Sequence, residues 1–212
     1  SATVMSKKII FATGNANKVR EINEIMGDET EILSMKDAGI NIGITEDGKT
    51  FEENSAIKAR AVFAECKRLA KDNADFENVI VMADDSGLEV DCLNGEPGIY
   101  SARYCPKEGA TDKDRRDHLL KNIRECGAER PWTARFRCEI AVVFPGENKT
   151  ITSSGTCEGE IIPEERGHNG FGYDPVFIPE NYDLTFSELD SQTKNKISHR
   201  NNAFRKLESY LR

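Results

Sequence analysis

The beginning of the chain constrains the fold most, because a short apolar run ends in a glycine turn and a helical pattern follows it. Residues 8–12 read KIIFA, a run with β-branched residues that is typical of a buried strand. The run stops at residues 13–15 (TGN), after which apolar residues recur at helical spacing up to Met26, with Gly27 next. A strand, a tight turn and a helix in this order predict a sheet that helices cover.

The remaining sequence continues this mixture of strands and helices without strict alternation. An apolar stripe at helical spacing predicts the longest helix over residues 51–71. The run VIVMA predicts a central strand over residues 79–83, which ends at the polar sequence DDSG. Further elements are predicted as strands at 31–35, 134–144, 149–162 and 176–178, a helix capped near Thr111 and a single C-terminal helix.

These elements predict the fold class α/β, with a mixed sheet and flanking helices in a single domain over residues 5–212. Polar, glycine-rich loops interrupt the chain at several separate places, among them residues 39–48 and 166–175. Their distribution favours two lobes around a central cleft.

The charge balance and the cysteines narrow the function classes. The formal net charge is −8, with 37 acidic against 29 basic residues, which argues against binding to nucleic acid and favours a small phosphorylated ligand. No apolar run approaches the roughly 20 residues that span a bilayer, so we expect no membrane contact. The six cysteines form no CxxC pair, which is typical of reduced thiols in a cytoplasmic protein and argues against structural zinc.

Residues 13–18 (TGNANK) lie at the predicted strand-to-helix junction. The amides and the dipole of a helix N-terminus suit phosphate, Gly14 lets a ligand approach the backbone, and Lys18 adds a positive charge. An ordinary capped helix with a solvated lysine fits these residues equally well.

The adjacent carboxylates of Asp84 and Asp85 follow a predicted buried strand, where ligands of open α/β sheets bind. Carboxylate oxygens suit Mg²⁺, and a second group of carboxylates is available in the preceding loop at Glu46 and Asp47, with Glu53 close by. A polar turn without a metal is an equally good interpretation of DDSG alone.

Two further motifs lie late in the chain. An aromatic and an acidic side chain in the loop 171–174 (FGYD) can stack on a base and accept from its N–H groups, although Phe171 as a core residue is favoured from the loop alone. Lys194 and the segment 198–200 (SHR) present mainly donors, which fit the oxo groups of hypoxanthine or xanthine and leave the amino group of adenine unpaired. A solvated basic turn explains the second motif equally well.

Taken together, the motifs TGNANK, DDSGLEVD, PGIYSARY, GFGYDP and ISHR, in this order, resemble the inosine-triphosphate pyrophosphatase (Ham1) family in its bacterial form. The resemblance spans nearly the whole chain. It implies an elongated mixed α/β fold, a homodimer, and Mg²⁺-dependent hydrolysis of ITP, dITP, XTP and dXTP to the monophosphate and pyrophosphate.

The resemblance also implies roles for individual residues. Asp85 is the catalytic carboxylate and a metal ligand together with Glu46, and Ser86 contacts the substrate. The residues implied to bind the triphosphate are Thr13, Gly14, Asn15, Ala16, Asn17, Lys18 and Lys58. Those implied to form the base pocket are Phe171, Gly172, Tyr173, Asp174, Lys194, His199 and Arg200.

The resulting hypothesis is that a water oriented by Asp85 attacks the α-phosphorus while Lys18 and Lys58 help pyrophosphate to leave. Such chemistry depends on positioning and electrostatics rather than on a protein nucleophile. Two alternatives stay open: a pyrophosphatase for modified pyrimidine nucleotides, and a nucleotide-binding sensor with weak or no catalysis. The intact carboxylates Glu46, Asp84 and Asp85 argue against the sensor.

Overall fold

The computed structural model describes residues 8–28, 30–146 and 149–211. Residues 5–7, 29, 147, 148 and 212 of the predicted domain therefore lie outside the described part. The chain divides into two compact units, the first made of residues 1–85, 139–154 and 203–212 and the second of residues 86–138 and 155–202.

Six strands form one sheet in the order β2-β1-β3-β4-β5-β6. β1 pairs in parallel with β2 and β3, whereas β5 pairs with β6 in the antiparallel direction, which confirms the predicted mixed sheet. The strands are β1 (Lys8–Phe11), β2 (Glu31–Ser34), β3 (Ile80–Val90), β4 (Trp132–Val143), β5 (Thr150–Ile161) and β6 (Phe177–Pro179).

Helices accompany the sheet, as expected for the predicted α/β class. They are α1 (Ala16–Met26), α2 (Phe51–Leu69), α3 (Asp112–Cys126), α4 (Ser191–Ile197), α5 (His199–Arg205) and α6 (Glu208–Leu211). Over the described ranges, none of these helices is both long and apolar enough to cross a membrane.

Local sequence signals set the helix ends. The Asn15 side chain accepts hydrogen bonds from two amides at the start of α1, and Gly27 ends this helix at φ 74°. Thr111 and Asp114 form a complete capping box at the start of α3, as the sequence predicts. Gly127 then ends α3 in the left-handed conformation, at φ 71°.

The core of the first unit lies between α2 and the strands. Ala59, Val62 and Cys66 form the buried stripe of α2 and belong to one cluster with Val81 and Ala83 of β3. The helical period of the stripe brings these side chains to one face of α2, where they exclude water from the sheet.

The core of the second unit is built around aromatic rings. Phe136 of β4 packs edge-on against Phe177, with ring centroids 4.7 Å apart, and stacks on Phe186 at 5.6 Å. Leu119 and Ile123 of α3 belong to the same buried cluster. The alternation of β4 explains this burial, because Phe136 lies on the face of the strand that points inward.

Two sequence predictions about element ends are wrong. β3 does not end before DDSG but continues through it to Val90, because Leu88 and Val90 are fully buried and the charges of the two aspartates are paired, as described below. The single C-terminal helix that begins at residues 198–200 is two short helices, because a turn separates α5 from α6, and the sequence did not predict α4 before it.

Gly159 on β5 provides a test of the β5–β6 pairing. A methyl group there would lie 2.6 Å from Cζ of Phe177 and against the carbonyl oxygen of Ile178 on the partner strand. We therefore expect Gly159→Ala to lower the free energy of unfolding by about 1–3 kcal/mol, measured by urea denaturation.

Gly43→Ala is the matched control, because no atom lies within 4 Å of the added carbon. It should leave the unfolding midpoint nearly unchanged. Equal midpoints for both variants would show that the close approach of β6 to Gly159 is not required for stability.

Candidate active site

The first unit holds the predicted phosphate loop between β1 and α1. The Asn15 side-chain oxygen accepts from the amides of Asn17 and Lys18 at 3.0 and 3.3 Å. The Thr13 hydroxyl in turn accepts from the Asn15 amide at 3.1 Å. Three amides of the loop are thus occupied by its own side chains, which fixes its shape and leaves fewer amides for a ligand than the sequence suggests.

Two further residues of the loop, Gly14 and Ala16, lie beside a cavity. Across the described residues, no hydrogen bond engages the amides of Gly14 and Ala16. Both residues line a cavity of about 860 Å³ to which Glu46 and Lys58 also contribute. The structure therefore brings the loop, one candidate metal carboxylate and the second lysine to a common cavity within the first unit.

Asp84 is an ion-pair partner that the sequence analysis did not assign to Lys18. Its side chain is fully buried on β3, and Oδ1 lies 2.6 Å from Nζ of Lys18. A buried carboxylate is costly unless it is paired, so this contact offsets the burial and fixes the lysine at the start of α1. The sequence could not reveal the pair, because 66 positions separate its members.

Lys58 of α2 connects the two candidate metal carboxylates. Its Nζ lies 3.1 Å from Oε1 of Glu46 and 3.8 Å from Oδ1 of Asp85, and it donates to the carbonyl oxygen of Asp84 at 2.5 Å. The predicted nearness of Glu46 and Asp85 is therefore present in the structure. Glu53 instead turns toward the backbone and accepts from the Lys49 amide at 2.7 Å.

Asp85 has an unusual electrostatic environment. Burial raises its pKa from 3.8 to about 6, while the ammonium groups of Lys58 and Lys18 lower it and the nearby carboxylates of Asp84 and Glu46 raise it. Within the described part of the chain, its buried Oδ2 has no hydrogen-bond partner. A carboxylate whose pKa is raised by burial and by like charges is typical of active sites.

The donor set fits a magnesium ion that completes its shell with substrate oxygens. Among residues 8–28, 30–146 and 149–211, no group of three or more His, Cys, Asp or Glu side chains could hold a metal by itself. Mg²⁺ is usually held by one or two carboxylates plus phosphate oxygens and water. Glu46 and the unpartnered oxygen of Asp85 match that requirement.

In the second unit, a buried ion pair organises the predicted FGYD loop. Nζ of Lys194 lies 2.7 Å from Oδ2 of Asp174, and both side chains are almost completely buried. The same oxygen accepts from the amide of Phe171 at 3.1 Å, and the ammonium lies 4.8 Å from the centre of the Phe171 ring. The structure thus brings three of the predicted base-pocket residues together.

The other residues of this loop are anchored rather than exposed. The hydroxyl of Tyr173 is buried and donates to the carbonyl oxygen of Ser101 at 2.6 Å. The amide of Gly172 donates to Asp112 at 3.0 Å, and Arg116 donates to the Gly172 carbonyl at 2.8 Å. Sequence reasoning missed Asp112 and Arg116, because nothing in their local sequence distinguishes them from other charged residues of α3.

The SHR segment opens α5 and is buried. Arg200 is 1 % exposed, and its Nη2 donates to the hydroxyl of Ser86 at 3.0 Å. The His199 ring stacks on Phe136, with centroids 4.9 Å apart and an interplanar angle of 16°. The burial contradicts the interpretation of the segment as a solvated basic turn. The hydrogen bond joins two of the predicted substrate-binding residues, Arg200 and Ser86.

Comparisons with known proteins agree over nearly the full length. The profile of the Ham1 family matches residues 9–210. The dITP/XTP pyrophosphatase of Clostridium perfringens is 48 % identical over 209 residues, covering 97 % of this chain and 98 % of that protein. The dITP/XTP pyrophosphatase of Bacillus subtilis is 44 % identical over 211 residues and covers 98 % of each.

Solved structures of Ham1 proteins also match this chain over nearly its full length. The Ham1 protein of Staphylococcus aureus superposes with a TM-score of 0.78 at 36 % identity, covering 97 % of this chain and 98 % of that one. A HAM1 protein from Coxiella burnetii superposes with a TM-score of 0.79 at 35 % identity and the same coverage.

The raised pKa of Asp85 predicts a stability effect with a definite sign. Below pH 3.8 the carboxyl is protonated in the folded and the unfolded protein, whereas above about 6 folding must bury a charge. Asp85 therefore destabilises the metal-free protein at neutral pH. We expect Asp85→Asn to raise the free energy of unfolding by about 1–3 kcal/mol near neutral pH, with little change at about pH 4.

Urea denaturation in the presence of a chelator measures both values. A variant that is equally stabilised at both pH values would assign the effect to packing and not to the charge.

Proposed function

The chain belongs to the Ham1 family, and we propose on this basis that it hydrolyses non-canonical purine nucleoside triphosphates to the monophosphate and pyrophosphate. The substrates are dITP, ITP, XTP and dXTP. The observation that carries the proposal is the group of two lysines and three carboxylates that the first unit gathers beside the cavity at residues 13–18. Its members are Lys18, Glu46, Lys58, Asp84 and Asp85.

In this proposal the triphosphate binds to residues 13–18. The amides of Gly14 and Ala16 donate to phosphate oxygens, and the dipole of α1 favours the negative charge. An ammonium has three N–H groups, of which Lys18 uses one and Lys58 uses two at hydrogen-bond distance, so each lysine can also donate to phosphate. Both lysines thus counter the charge that develops on the departing pyrophosphate.

Glu46 and Asp85 would hold Mg²⁺, which neutralises phosphate charge when bound. Asp85 also orients the attacking water and accepts its proton. Its pKa of about 6 in the metal-free protein leaves it ionised at neutral pH, as a metal ligand and a proton acceptor must be. The water attacks the α-phosphorus and the bond to the β-phosphate oxygen breaks, so pyrophosphate leaves.

The purine base is assigned to residues of the second unit. Phe171 offers a ring for stacking, and Asp174, held in place by Lys194, offers carboxylate oxygens as acceptors. His199, Arg200 and Lys194 supply donors that suit the oxo groups of hypoxanthine and xanthine. Adenine presents an amino group at that edge, where a buried donor would stay unpaired.

The proposal also covers the oligomeric state of the protein, its location in the cell and its partners. The protein acts as a homodimer in the cytoplasm, as the family resemblance and the separate cysteines suggest. Its partners are small nucleotides rather than nucleic acids, because the net charge of −8 opposes binding to a phosphate backbone.

The direct test is to incubate the purified protein with Mg²⁺ and, separately, ITP, XTP, GTP, ATP and dTTP. We expect pyrophosphate and monophosphate from ITP and XTP and little from the others, quantified by ion-exchange chromatography. Orthophosphate with diphosphate would refute attack at the α-phosphorus. Binding of ITP without turnover would support the nucleotide sensor instead, and preferential turnover of pyrimidine nucleotides would refute the purine assignment.

Asp85→Asn tests the catalytic carboxylate. The amide keeps the size of the side chain but cannot accept the proton, so we expect kcat for ITP to fall by about 10²–10⁴-fold. Binding of ITP, followed by calorimetry, should survive because the phosphate loop is unchanged. Turnover close to that of the unaltered protein would exclude Asp85 as the base.

A further inference from the structure

The loop that carries Glu46 is fastened to the first turn of α2. Residues 39–48 contain no helix or strand, and the loop meets the helix at Gly48, whose amide donates to Oδ1 of Asn54 at 2.8 Å. The next amide, of Lys49, donates to Glu53 at 2.7 Å, and Thr50 caps α2. Residues 48–50 are therefore tied, one after another, to the start of the helix.

Gly48 fits this arrangement only because it has no side chain. A methyl group there would lie 2.6 Å from Oδ1 of Asn54, 2.8 Å from Cβ of Glu53 and 3.1 Å from the amide nitrogen of Asn54. The last of these atoms belongs to the helix backbone and cannot turn away. Contact with α2, and not an unusual φ, accounts for the glycine at this position.

Asn54 connects these contacts to the catalytic cluster, the group of Lys18, Glu46, Lys58, Asp84 and Asp85. Its side chain is 4 % exposed although it is polar, and its one described side-chain hydrogen bond is the one from Gly48. Lys58 follows four positions later and therefore lies on the same face of α2. The two side chains hold one loop at two points, since Asn54 binds the backbone of Gly48 and Lys58 binds the carboxylate of Glu46 at 3.1 Å.

We propose that Asn54 is a positioning residue, which fixes the backbone at Gly48 and thereby places the Glu46 carboxylate beside Lys58 and Asp85. The inference rests on the proposed function, because it concerns a carboxylate assigned to the metal. It adds a residue that touches neither substrate nor metal to the machinery of that reaction.

The exposure of Glu46 explains why such a device is needed. Its side chain is 41 % exposed, and the contact with Lys58 is its one described ion pair. A surface ion pair of this kind contributes little by itself, so the geometry of the carboxylate depends on the backbone that carries it. Loss of an outer partner of a metal ligand typically reduces metal affinity or activity by about 10- to 100-fold.

Asn54→Leu removes the acceptor while keeping a side chain of similar size, and Asn54→Asp keeps an acceptor in the same place. We expect Asn54→Leu to lower kcat for ITP by about 10-fold or more and to raise the Mg²⁺ concentration for half-maximal rate by a similar factor, with KM for ITP little changed. In Asn54→Asp, kcat and the Mg²⁺ concentration for half-maximal rate should stay within about 3-fold of the values of the unaltered protein. The carboxylate oxygen can replace Oδ1 as the acceptor, and the dipole at the N-terminus of α2 favours its negative charge.

Binding of Mn²⁺, followed by electron paramagnetic resonance with the α,β-imido analogue of ITP present, gives a readout without turnover. Asn54→Leu should weaken Mn²⁺ binding about 10-fold and Asn54→Asp should not. Gly48→Ala disrupts the same contact from the loop side and should reproduce Asn54→Leu. Asn122→Leu is the matched control. Asn122 lies on α3, outside the catalytic cluster, and its side-chain amide donates to the hydroxyl of Tyr104 at 2.6 Å.

The outcomes separate the two proposals. Wild-type protein that releases no pyrophosphate from ITP would refute the proposed function, while the Mn²⁺ titration would still test the fastening. Unchanged kcat and unchanged Mn²⁺ binding in Asn54→Leu would overturn the role of Asn54. Equal losses in Asn54→Leu, Asn54→Asp and Asn122→Leu, together with equal drops in unfolding temperature, would also overturn it in favour of general destabilisation.

Discussion

Two negative charges in the middle of a buried strand require positive charges from elsewhere in the fold. Asp84 and Asp85 lie within β3, and Lys18 at the start of α1 and Lys58 of α2 offset their burial, fully enough for Asp84 to be paired and only in part for Asp85. Each helix must therefore lie where its lysine reaches β3. The caps fix where α1 and α2 begin, and the parallel pairing of β1 with β3 brings the start of α1 close to the aspartates.

The second unit also contains a buried carboxylate that is paired with a lysine. The pair of Asp174 and Lys194 is almost completely buried and lies under an aromatic ring and a glycine-rich loop. Because the carboxylate binds the ammonium and the amide of Phe171 together, it fixes the shape of the loop.

Both clusters place charged groups in the interior, where desolvation is costly. An apolar residue in place of Asp85 would avoid the desolvation that raises its pKa, and an apolar core would avoid the buried pair of the second unit. The aromatic cluster around Phe136 and the apolar stripe of α2 offset these costs, since both bury their side chains almost completely. The proposed reaction, which depends on positioning, needs such a rigid support.

Features that depend on residues close along the chain could be predicted from the sequence. The α/β class, the cap of α3, the glycine that ends α1 and the buried stripe of α2 follow from local periodicity and side-chain chemistry. The order of five motifs was enough to identify the family. Local patterns suffice for these conclusions because a helix or a strand forms from residues that are close along the chain.

Which charged side chains form pairs could not be predicted from the sequence and follows from the fold. The sequence placed DDSG after a strand, whereas the structure places it within one, because Lys18 and Lys58 arrive from 66 and 26 positions away and make burial of the aspartates tolerable. Tyr173 likewise finds its acceptor at Ser101, 72 positions earlier. Such pairs depend on the order of strands in the sheet and on where the helices pack, and electrostatic attraction between distant residues leaves no periodic signal in the sequence.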